Sequence, residues 1–290
     1  MSAVYRRELK ANLFSMTGTI FIAFALVFIG LYCSNVTFAS ADPHLEKGII
    51  VAGFFSLLAV PILTMRSFSE ERHSKTDQLL FSLPLTTGDI VLGKFFAMAT
   101  MLAIPTAVLC TFPLISTVFC TAGSINYGII YGTILCYFLL GCAVIAICML
   151  LSSLTESQVV SAILGIAAML LLYFMSSISS LVPAGINFSF VIALILCLLV
   201  AYIVVISVKN YIIAGVVGVA LIAGCSVIYA VKPDLYAGLA GKLLSMLAVF
   251  EPIYNYANGI FDLTTIIYYL SVITVFTFLT VQSVERRRWS

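Results

Sequence analysis

The chain has 290 residues, of which 62% are hydrophobic and only 9% charged, with a net charge of +2. Soluble domains are about 45–50% apolar and about 25% charged, so too few polar side chains are present here to clothe a water-soluble globule. Disorder, a collagen-like repeat and a basic nucleic-acid-binding surface are excluded by the same figures.

A membrane-crossing helix needs about 20 mainly apolar residues. Eight such runs occur in chain order, at 17–38, 48–65, 95–119, 127–151, 159–181, 188–208, 211–231 and 265–282. They are continuously apolar rather than alternating, which predicts an all-α polytopic membrane protein and not a barrel. Placing the N-terminus in the cytoplasm puts Arg6, Arg7, Lys10, Arg66, Arg72, Lys75, Lys94, Lys209, Arg286, Arg287 and Arg288 inside. Lys47, Lys232 and Lys242 are then outside, so eleven of the 14 cations follow the positive-inside rule. Both termini are expected to be cytoplasmic, and no cleavable signal peptide precedes the first run.

None of the eight runs contains Asp, Glu, Lys, Arg or His. Ionisable groups within a membrane are costly and usually functional. Their absence argues against a proton-coupled carrier, a voltage sensor and an intramembrane protease. The 8 cysteines have no Cys-x-x-Cys spacing and no neighbouring histidine, so they read as small packing residues. The sequons at Asn35 and Asn187 carry no weight. Gly128-Ile-Ile-Tyr-Gly132 offers a site for close helix approach.

The longest connection with cytoplasmic character runs over 66–94. Ser67 and Glu70 have the spacing of a capping box. Glu71 with Lys75, and His73 with Asp77, stand one helical turn apart. Leu79, Leu80, Phe81 and Leu83 end the segment apolar, and Pro84 stops it. The spacing predicts a short amphipathic helix at the membrane surface, either a passive interfacial helix or a docking element. Next, Gly88-Asp-Ile-Val-Leu-Gly93-Lys94-Phe95 matches the start of a phosphate-binding loop, but Phe95 replaces the magnesium-binding hydroxyl. The better reading is a helix start, with Thr87 as cap, Asp89 at the positive helix end and Lys94 at the membrane boundary.

Between the last two runs, Leu239, Leu243, Leu244, Leu247 and Phe250 share one helix face. Glu251-Pro252 is expected to break that helix, and Gly259 offers a second break near Asp262. Within the segment 232–263, the run from Leu239 to Phe250 is only about 12 residues, too short to span, which predicts two short re-entrant or interfacial helices on the outer side.

The run Pro61-Ile-Leu-Thr-Met-Arg66-Ser-Phe-Ser-Glu70-Glu71, with Lys75-Thr-Asp-Gln-Leu-Leu80, Leu83-Pro84-Leu85 and Ile90-Val-Leu-Gly-Lys94, resembles the loop signature of ABC-2 type permeases. Phe250, Tyr256-Ala-Asn-Gly-Ile-Phe-Asp262-Leu, Tyr268-Tyr269-Leu270 and Glu285-Arg-Arg-Arg-Trp-Ser290 extend the resemblance to the C-terminus. The nearest group is the gliding-motility and copper-processing permease branch. The resemblance implies a single permease domain over 1–290 in a bacterial cytoplasmic membrane, with a coupling loop at 66–88. The family's usual core has six spans, so the two runs around 188–231 are a departure. Its implied partners are a cytosolic ATP-binding subunit, a second permease copy or similar chain, and membrane lipid. ATP and magnesium then belong to the partner, and the chain itself is no enzyme and binds no cofactor. Coupling falls to Arg66, Phe68, Glu70, Glu71, Lys75, Thr76, Asp77, Leu79 and Leu80. An outer gate falls to Phe250, Tyr254, Tyr256, Asn258, Gly259 and Asp262. The rival reading is a non-transporting scaffold or regulatory subunit, for which a docking helix is equally suitable.

Overall fold

A computed structural model describes residues 1–35, 44–75, 86–119, 126–182, 185, 190 and 238–288. All regular structure among them is helical: α1 Ser2–Phe14, α2 Met16–Ser34, α3 Leu45–Leu57, α4 Val60–Thr64, α5 Arg66–His73, α6 Thr87–Leu109, α7 Phe112–Phe119, α8 Tyr127–Leu154, α9 Gln158–Leu181, α10 Leu239–Met246, α11 Pro252–Ala257 and α12 Leu263–Arg288. Among the described residues, six helical stretches are long and apolar enough to cross a membrane: Met16–Ser34, Leu45–His73, Thr87–Thr117, Tyr127–Leu154, Gln158–Leu181 and Leu263–Arg287. These are the first five expected spans and the last. The expected spans at 188–208 and 211–231, and the turn at Lys209-Asn210 between them, lie outside the described residues.

Contacts divide the chain into one unit of residues 1–171 with 250–290, and a second of 172–249. In the first, α8 is the central post. It is apolar all round, as a helix surrounded by others must be, and it packs against α3, α4, α5, α6, α11 and α12. Small residues permit the closest approaches. A Cβ on Gly141 would collide with the Leu102 side chain, and one on Gly165 would fall 2.9 Å from the Pro61 ring. In the second unit, α10 follows Gly238, whose φ of 70° suits glycine. The Ser179 hydroxyl donates to the Gly241 carbonyl at 2.9 Å.

Several local expectations are corrected. The polar start of the chain is a helix, α1, packed along α6. It hands over to α2 at Ser15, whose side chain accepts from the Gly18 amide at 3.0 Å and caps α2. The second span begins at Leu45, turns at Leu58–Ala59 where Pro61 cannot supply an amide hydrogen, and continues through α5. The capping box at Ser67 does not form. Met65, with φ −56° and ψ −32°, is already helical, whereas a cap needs extended backbone just before the helix. The cap of α6 is Thr86, not Thr87, and accepts from the Asp89 amide at 3.2 Å. α10 ends at Met246, before Phe250. Pro252 opens α11 rather than only ending its predecessor, because the first helical turn has no use for its missing amide hydrogen.

Candidate functional site: the cationic end and the aromatic end

Both chain ends lie at one end of the first unit. The N-terminal amine is 3.6 Å from Asp89 in the first turn of α6, and Arg287 donates to the Leu154 carbonyl at the end of α8. Here Lys94 is buried, with 2% of its side chain exposed. Its ammonium donates to Glu71 Oε1 at 2.8 Å, to the Ser67 carbonyl at 2.7 Å and to Glu8 Oε1 at 3.4 Å. Three donors meet three acceptors, which satisfies a group too costly to bury unpaired. The same nitrogen lies 5.1 Å from the Phe68 ring centroid. Lys94 therefore fastens α1 and α5 to α6 and is more than a membrane-boundary residue. The preceding Gly93 lets α1 approach, since a Cβ there would meet Val4 at 3.0 Å. Both residues of the phosphate-loop-like motif are thus engaged in packing.

α5 is held from a second side. Ser152 of α8 accepts from the amides of Phe68 and Ser69 at 3.3 and 3.4 Å, and donates to the Met65 carbonyl at 3.3 Å. Arg72 donates to the Thr155 carbonyl at 3.2 Å. Arg66 grips Glu70 with two hydrogen bonds of 2.7 and 2.8 Å and reaches Thr17 at 3.2 Å. Of the expected coupling residues, the fold brings Arg66, Phe68, Glu70 and Glu71 together. Glu71 pairs with Lys94 instead of Lys75, because Lys75 has φ 55° and leaves the helix. Thr76, Asp77, Leu79 and Leu80 lie outside the described residues. The sequence reading missed Glu8, Lys94 and Ser152. One signal was present: Lys94 sits two turns inside a helix start, too deep to be a boundary charge.

The other end is aromatic. Phe250 is buried with its ring centroid 6.3 Å from that of Phe54. Tyr256 is buried too, its ring 5.3 Å from that of Phe261 and its hydroxyl donating to the Asp262 carbonyl at 2.8 Å. Burial pushes the Tyr256 phenol upward, with smaller contributions from Cys136 and Asp262. Gly132 faces Tyr256, where a Cβ would come within 3.3 Å of the ring. Gly259 has φ 80°, and a Cβ there would meet Ile129 at 3.0 Å. The Asp262 carboxylate accepts from the Thr264 amide at 2.8 Å. Hydrogen bonding to Thr264 holds that carboxyl below the usual carboxylate range. Tyr254 and Asn258 are exposed. A cleft of about 370 Å³ opens between Asn126, Ile129, Gly132, Tyr256, Gly259 and Phe261. Of the expected gate residues, Phe250 is buried against Phe54, Tyr256 is buried against Phe261 and bonded to Asp262, and Tyr254 and Asn258 are exposed.

A chain whose regular structure is all helical among the described residues, with several membrane-length apolar helices, is a multi-pass membrane protein. Residues 10–206 match the ABC-2 family transporter protein model. The match covers more than half the chain, which belongs to this family and is a permease subunit of an ABC transporter. No curated protein matches significantly.

Proposed function

We propose that the chain is the permease of an ATP-driven exporter, in the gliding-motility and copper-processing branch, in a bacterial cytoplasmic membrane. The cationic end is cytoplasmic in this reading, as the positive-inside rule requires. A separate ATP-binding subunit docks on the segment following α5 and supplies ATP and magnesium, and a second permease copy or a similar chain completes the path. The permease itself catalyses no reaction. Apolar, charge-free spans suit an amphipathic cargo.

The observation that supports this reading most is the fastening of α5. It continues the second span, is clamped to α8 by Ser152 and is tied to α1 and α6 through Lys94. A force applied at the segment beyond His73 is therefore delivered to several helices at once, as coupling demands. The cleft beside Tyr256 is the corresponding gate at the outer end.

The test is affinity purification of the tagged chain from its native membrane, followed by ATPase and vesicle-transport assays. An ATP-binding-cassette subunit should co-purify. Its ATPase activity should be lost from the complex when Asp77, Leu79 and Leu80 are replaced together, with membrane insertion intact. Association that persists in that variant overturns the coupling assignment. Association without any ATP-dependent change in the permease favours the scaffold reading.

A further inference from the structure

Between α1, α5 and the start of α6 is a cavity of about 310 Å³. Its wall carries three cations, Arg7, Arg66 and Lys94, and three carboxylates, Glu8, Glu70 and Glu71. Lys94 is satisfied by Glu71, Glu8 and the Ser67 carbonyl, and Arg66 by Glu70 and Thr17. Three polar side chains of the wall are left over: the part-exposed Asn12 amide, Arg7 and Ser67. Arg7 is exposed and has no ion pair or hydrogen bond among the described residues. The Ser67 hydroxyl is buried without a partner, on a residue only 8% exposed. It is the one such side chain among the described residues. Buried hydroxyls are ordinarily hydrogen-bonded, so this one points to a missing ligand atom.

The surroundings narrow the ligand. The cavity reaches Asn12 and Ser15, at the joint where α1 meets the membrane-length α2. Phe14 and Met16 flank that joint with 83% and 78% of their surface exposed. Large apolar side chains beside cations are the signature of a segment seated at lipid-headgroup depth. The formal charges of the wall cancel. A lone anion would meet three carboxylates, and a lone cation three basic groups.

We propose that this cavity holds the headgroup of a zwitterionic aminophospholipid. Its phosphate accepts from Arg7 and the Ser67 hydroxyl, and its ammonium donates to the solvent-facing Glu70 carboxylate. The acyl chains leave along Phe14 and Met16. A bound lipid of this kind packs against α1, α5 and α6 together, so lipid composition would set how firmly α5 is held. The assignment rests on none of the exporter reading and survives if no ATPase is found.

The test is native mass spectrometry of the full chain in mild detergent, with phosphatidylethanolamine or phosphatidylglycerol added. One phosphatidylethanolamine should be retained per chain, in preference to phosphatidylglycerol. Arg7→Ala should weaken retention roughly tenfold, the loss of one charge-assisted hydrogen bond. Arg7→Lys should recover part of it, and Ser67→Ala should also lower it. Arg7 is exposed and Ser67→Ala only deletes an oxygen, so melting of the lipid-free chain should hold in all three variants. Equal retention of phosphatidylglycerol overturns the assignment. So does retention indifferent to both Arg7→Ala and Ser67→Ala, which marks bulk lipid. Competition by soluble glycerophosphoethanolamine as effective as by the lipid assigns the cavity to a soluble ligand and overturns the lipid source.

Discussion

At the cationic end, helices far apart in the chain are joined by charge. Lys94 reaches Glu71 and Glu8, 23 and 86 residues away in sequence. At the aromatic end they are joined by shape: Tyr256 lies against Gly132, and Gly259 lets the chain pass Ile129. A buried ion cluster is unforgiving, because removing one partner strands the others without water. Ring-on-glycine packing is short-ranged and graded, and it can slide with modest loss. Charge fixes one end more firmly than packing fixes the other, which is the division that the proposed coupling end and gate require.

The comparison breaks first at Lys94. Lys94→Met should cost about 3–5 kcal/mol, since the part-buried carboxylates of Glu8 and Glu71 both lose the ammonium they share. Denaturation of the purified chain in mixed micelles measures this. Adding Glu8→Gln and Glu71→Gln to Lys94→Met should restore much of the loss. If the single and triple variants are equally unstable, charge is not what holds this end together.

A smaller effect is expected at Gly259. Gly259→Ala forces a Cβ onto a backbone at φ 80° and against Ile129, for about 1–2 kcal/mol. The damage should remain local, read as faster amide exchange in α11 with the cationic end unchanged. Exchange that spreads to α5 would show the two ends to be one cooperative body.

The smallest effect concerns Asp262. Its carboxyl is held low by Thr264, so its contribution to folding is present above the ordinary aspartate range and is lost as pH falls through the lowered value. Amide exchange at Thr264 should accelerate only in that acid window. Asp262→Asn should remove the pH dependence. Acceleration already present near neutral pH would contradict the assignment.

Much of this architecture was legible in the residues. Five spans and the last could be read directly, because about 20 apolar residues in a row have no other stable home. The break at Gly259, just past α11, was legible for an equally local reason, glycine's ease with positive φ, whereas α10 ends at Met246 and Pro252 opens the next helix. The helical character of α1 was not. Its residues Ser2–Phe14 are polar on average, and the helix is supported by packing on α6 at Val4 and Gly93. Nor was the capping of α5 legible. Ser67 and Glu70 have the right spacing, but the chain enters already helical, and Ser152 from α8 takes up the amides instead.

Hydropathy along the chain thus determined on its own that this is a helical membrane protein, and its charge asymmetry set the expectation that both termini face the cytoplasm. Both are sums over neighbouring residues, and water and lipid act on such sums directly. Which carboxylates meet Lys94, which hydroxyl lacks a partner, and which glycine receives Tyr256 were decided by tertiary structure alone. Those choices depend on distances of a few ångströms between residues far apart in the chain, and no local pattern encodes them.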